Sequence, residues 1–310
     1  MGPRDGVCLD PRPVHGPGAL VMRARGTATA TQGRQDGVTY SDIPRLLTMV
    51  LVWLVLLAWH FLAGRSGCLT VIGLVALFTL VLTQSATEIA LTKRQAFIDA
   101  CLDPGGSLAR LLGRRYLLVA QEAAKSLGLA VFLVVSALTL VPRQWSLMFA
   151  VVLLLGLLLP RFYGAFAGQV RERYRYATAR RWTLWCSVAL LWLEALIVLF
   201  FSSGENFMGL RWQEAIVHGA RGPDIQCALV AQVAALLSAL DALGFWSVQN
   251  LQRNLADLPQ SLVAGLGLLA AMGLAFLRAY VFSLALIGVV ARPWALWRLE
   301  GRPEGRLAGG

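Results

Sequence analysis

Three ionisable residues stand inside otherwise uncharged, apolar stretches: Glu194, Asp241 and Arg278. A carboxylate or guanidinium in hydrocarbon is costly, so it pairs, lines a wet path or titrates. A second group with chemical potential lies around a Pro-Gly-Gly break, where Arg94, Ser107, Arg110, Gly113 and Arg114 are interleaved with apolar residues. Basic amphipathic segments of this kind seat on an anionic surface or under a partner. Just beyond, Glu122 and Lys125 are three residues apart, share one helix face and can pair at a helix foot.

Other chemistries lack their residues. The chain has no GxSxG elbow, no HExxH and no GxxxxGK[ST] phosphate loop. Its cysteines (8, 68, 101, 186 and 227) form no CxxC pair, and its three histidines (15, 60 and 218) are dispersed. Neither a disulfide framework nor a metal site is indicated. His60 reads as a packing residue. With no cluster of His, Asp or Glu at one depth, the expectation is a protein that is not an enzyme and needs no cofactor.

The elements that must carry these residues are membrane helices. Hydrophobic residues make up 57% of the 310 positions and charged ones 15%, against about 25% charged in soluble domains. The charges are bunched, leaving long uncharged windows. Crossing about 30 Å of hydrocarbon takes roughly 20 apolar residues. That places spans at about 46–63, 67–86, 118–142, 144–162, 182–203 and 261–291, with 225–248 a seventh candidate. The fold class is all-α: a polytopic transmembrane helical bundle. Residues 1–40 are rich in Gly, Pro, Arg and Thr without apolar period, the composition of a disordered tail. The membrane domain occupies 41–298 and a short tail 299–310.

Arginine and lysine orient the spans. The segments 88–115 and 161–181 together hold eleven basic residues, whereas the connections at Arg65 and Arg143 hold one each. Basic connections stay cytoplasmic, which puts the N-terminus inside an inner (plasma) membrane. If 225–248 crosses, the arginine-rich C-terminal tail falls outside; if it does not, both ends are inside. Six spans are therefore favoured over seven, with an external re-entrant or interfacial helical element at 225–248. In that arrangement Glu194 and Arg278 lie about 18 and 20 Å from the same face at 1.5 Å per residue, so they can meet. Small residues recur every four positions at Gly267, Ala271, Ala275 and Ala279, and at Ala231, Ala235 and Ala239. Such stripes let helices approach closely, within one chain or across a homodimer.

Ser107, Leu111, Leu112, Gly113 and Arg114, with Pro104 upstream, form an S-x-x-x-L-L-G-[KR] pattern after a basic amphipathic segment and before the third span. The pattern resembles permease subunits of ABC-2-type exporters. The resemblance implies six spans with both ends inside, an external helical element between spans five and six, and a cytoplasmic segment docking on a separate ATPase subunit. Arg94, Ser107, Arg110, Gly113 and Arg114 would belong to that docking segment. Two further classes stay open: a membrane scaffold or assembly component of an envelope or secretion machine, and a proton-driven transporter with Glu194 or Asp241 titrating. Membrane lipid is the expected partner of the basic stretch 171–181, and nucleic acid is not.

Overall fold

A computed structural model describes residues 43–101, 115–170, 172–201, 206–221, 225–250 and 258–290. The tails at 1–40 and 299–310 lie outside these residues, as do Ser107, Arg110, Gly113 and Arg114. All regular structure among the described residues is helical. Long apolar segments adopt helices because each backbone N–H and C=O is then bonded within its own segment, as lipid demands.

Helix α1 (Ile43–Leu62) ends in a 3-10 turn (Ala63–Arg65) and passes directly to α2 (Cys68–Cys101). At 34 residues α2 is about 51 Å long, more than hydrocarbon needs. The basic residues before the Pro-Gly-Gly break do not begin a new element, because α2 runs on through Arg94 to Cys101. No Gly or Pro interrupts 88–101, so the sequence holds no helix breaker over that stretch. Helix α3 (Arg115–Ser136) stops short of the expected 142. Pro142 begins α4 (Pro142–Ala165), and a residue before proline is pushed out of helical geometry. Val141 is extended accordingly (φ −80°, ψ 154°), and the Gln144 side chain accepts its N–H at 3.1 Å. Helix α5 (Glu172–Phe201), short α6 (Trp212–Gly219), α7 (Ala228–Asn250) and α8 (Leu258–Gly288) complete the order.

Seven of these helices are long and apolar enough to cross a membrane, α7 among them. Their mutual contacts show how α7 differs. The start of α4 meets the end of α1, where the His60 and Trp145 rings lie 5.5 Å apart between centroids. The end of α4 meets the start of α5, where Arg175 Nε donates to the Tyr163 carbonyl at 2.7 Å. The exit of α8 reaches that same end, because Tyr176 donates to the Val290 carbonyl at 2.6 Å. The bundle thus has a Cys68 face and a Tyr176 face, and α8 runs from the first to the second.

Helix α7 has both its ends on the Cys68 face. Cys227, next to its first residue, is disulfide-bonded to Cys68. At its other end Asn250 Nδ2 donates to the Phe207 carbonyl at 3.1 Å and Gln249 accepts the Phe207 N–H at 2.7 Å. Phe207 follows closely on the end of α5. The 23-residue helix, about 34 Å long, therefore lies across one end of the bundle. Among the described residues, six long helices thus run between the two faces and α7 lies over one of them. The disulfide corrects the expectation that no such pairing is present. Its signal was positional: both cysteines flank helices at the sparsely charged face, a relation that no local motif records.

The core comprises Leu56, Phe78, Leu82, Leu133, Leu155, Phe282 and Leu286, all essentially inaccessible, while many leucines such as Leu69, Leu80 and Leu266 point outward. Lipid is as apolar as leucine, so this core holds by close packing rather than by expulsion of water. Gly244 sits against Ala271 and Gly267 against Ser247 with no space for a Cβ on either glycine. The α8 stripe at Gly267 and Ala271 is thus spent within the chain, on α7.

Sidedness checks the capping position of α7. With Cys8, Cys101 and Cys186 replaced by serine, single cysteines at Arg143 and Gln260 should react with an impermeant maleimide from the same side. One at Arg161 should react from the other. Opposite sidedness for 143 and 260 would mean that α7 crosses.

Candidate functional site

The intramembrane charges converge under α7. Arg278 points from α8 back toward the Cys68 face, as side chains on a helix lean toward its N-terminus. Its Nη1 and Nη2 bond Asp241 Oδ1 and Oδ2 of α7, each at 2.8 Å, a two-pronged ion pair. Nη2 also donates to Thr139 Oγ1, at 3.0 Å, in the turn between α3 and α4. This geometry ties three elements together, and charged donors shorten and strengthen such bonds.

Glu194 is therefore not the partner of Arg278. The sequence placed the two at one depth correctly enough for both to line a single cavity, but Asp241 comes closer because α7 lies directly on α8. Glu194 makes no hydrogen bond or ion pair with any described residue.

The cavity measures about 600 Å³ and opens between the start of α4, the second half of α5, α6, α7 and α8. Ala271, Ala275 and Ala279 form its α8 wall. The stripe of small residues thus has two uses: its upper part packs on Gly244 and its lower part leaves space. Phe245, Phe282 and Val198 supply apolar surface, and His218, Ser238 and Arg221 supply polar groups. Arg221 is exposed. Among the described residues no group of His, Cys, Asp and Glu could hold a metal ion.

A second polar cluster lies toward the Tyr176 face, and sequence reading missed it. The Arg180 guanidinium donates from Nη1 to Ser85 Oγ at 2.9 Å and from Nη2 to the Ser85 carbonyl at 3.3 Å. Its Nε is 3.2 Å from Glu88 Oε1, off the line of a hydrogen bond, so that contact is ionic. Both side chains are almost sealed, 3% and 2% exposed. The available signal was depth, since Glu88 ends the uncharged window of α2 and Arg180 precedes that of α5. Beside them Arg181, Trp182 and Trp185 line a hollow of about 460 Å³ against Ile89, the pairing of basic and aromatic residues typical of a membrane interface.

Glu122 and Lys125 form a 2.8 Å ion pair, with Lys125 well exposed. Pairs of this kind contribute about 0.5 kcal/mol or less. Arg94 belongs to α2 by its backbone, and its side chain lies outside the described ones. His60 meets the Ala137 carbonyl at 2.9 Å and the Trp145 ring, a packing role.

The chain matches no protein-family model, no curated protein and no solved structure.

The sealed Arg180–Glu88 contact sets a stability expectation. Glu88→Gln should destabilise the detergent-solubilised protein by about 3–5 kcal/mol, because it strands the guanidinium charge. Adding Arg180→Gln should recover a substantial part. Thermal unfolding of the three proteins measures both effects, and a silent Glu88→Gln would show that the charge finds another partner.

Proposed function

We propose that the protein is the membrane-spanning subunit of an exporter of the ABC-2 type, driven by a separate ATPase. The observation that carries this reading is the capping pair α6–α7, inserted between the fifth and sixth crossings above a charged cavity. The family resemblance at 104–114 implies an external helical element at that point in the chain. The Cys68 face is taken as the outer one, for two independent reasons. Disulfides persist in oxidising compartments, and the basic residues crowd the opposite end, where cytoplasmic connections retain them. The N-terminus and the exit of α8 are then cytoplasmic, in an inner or plasma membrane.

On this reading α2 carries the helix beyond the cytoplasmic face, and the segment at 102–114 becomes the docking surface. With no phosphate-binding loop in the chain, ATP must be hydrolysed by the partner. The cavity beneath α7 is where a solute pauses on its way out.

A photoreactive side chain at Leu108, followed by mass identification of the adduct, tests the partner. The expected adduct is a soluble ATPase of about 25–35 kDa, one or two ordinary domains. An adduct only with lipid, or with a membrane protein that is no ATPase, would favour the scaffold reading. Reversing the charges of Arg110 and Arg114 should abolish export with no loss of protein from the membrane. Parallel loss of both would mean that these residues only anchor a helix foot.

A further inference from the structure

We propose that the cavity beneath α7 binds a monovalent organic cation, a protonated amine on an apolar body, through the carboxylate of Glu194. The exporter reading supplies the reason for such a site, and this inference rests on it for its role.

Charge selects the sign of the ligand. Of the acids lining the cavity, Asp241 is committed to Arg278 by two 2.8 Å bonds. Glu194 lines the same cavity and has no partner among the described residues. The pair Asp241–Arg278 is close to neutral as a unit, which leaves Glu194 as the acid of the cavity with no paired cation among the described residues. Arg221 stands exposed at the rim, where water screens it. An anion would meet the Glu194 carboxylate; a neutral solute would leave it desolvated without a counter-charge, at a cost.

Ligand number then separates an organic cation from a metal. Calcium and magnesium require six or more oxygens, and the described residues offer no metal-binding group. An ammonium group needs only one carboxylate, plus an aromatic face where available. The remaining wall fits the rest of such a molecule: Val198 from α5, Phe245 from α7, Phe282 and the alanines of α8 are apolar. A volume of about 600 Å³ lies in the middle of the range for small-molecule sites, roughly 300–1,000 Å³.

The probe is 4-phenylbutylamine, with 4-phenylbutan-1-ol as its uncharged counterpart, in equilibrium dialysis against the full chain in lipid nanodiscs with empty nanodiscs as background. The amine should bind at least about tenfold more tightly than the alcohol, the scale of one charged hydrogen bond. Glu194→Gln should erase that difference and leave alcohol binding as it was, which also reports that the variant is folded. On the unaltered chain, the amine should protect Glu194 from a hydrophobic carbodiimide while the alcohol should not. Equal binding of amine and alcohol, absence of binding, equal weakening of both by Glu194→Gln, or no protection would each overturn the proposal. An ATPase adduct at Leu108 without amine binding would remove this site and leave the exporter reading standing. Amine binding without such an adduct would retain the site and remove the exporter.

Discussion

Arg278 can sit in an apolar helix only because Asp241 is delivered to it. A lone guanidinium at that depth would have to snorkel, draw in water or lose its helix from the membrane. The bonds at 2.8 Å resolve this by fixing α7 upon α8, and the bond to Thr139 adds the turn between α3 and α4. Much else is set by that attachment. Gly244 and Gly267 permit the close approach, the alanines below them keep a cavity empty of side chains, and α6 closes its edge through Gly219 against Ala242. The charged pair therefore determines where the space is, although it does not supply the uncommitted charge within it.

The bundle was legible in the sequence because membrane helices announce themselves by length and by the absence of charge. Charge asymmetry across connections likewise separated one face from the other. What failed was the pairing of specific side chains. Glu194 and Arg278 share a depth, but depth along separate helices carries no azimuth, and Asp241 lies on the helix that touches Arg278. Arg180 with Glu88, and Cys68 with Cys227, are related in the same way: far apart in sequence, at one level in the fold. A one-dimensional pattern resolves level well and neighbourhood poorly.

The status of α7 illustrates a related ambiguity. Its 23 residues satisfy every length and hydropathy requirement for crossing. Only its anchored ends, one covalent and one through Asn250 and Gln249, reveal that it caps instead. Hydropathy reports what a helix tolerates around it. Direction comes from what its ends are attached to.

The cross-link between Cys68 and Cys227 also orders the birth of the molecule in time. The two residues are 159 apart, and at about 5–20 residues per second the ribosome needs roughly 8–30 s to pass from one to the other. Throughout that interval Cys68 waits as a thiol beside a half-inserted bundle, and four further crossings must be threaded before its partner emerges. The cap is consequently installed late, as a lid riveted onto a finished vessel. A cell with impaired thiol oxidation would assemble the walls and lack the rivet.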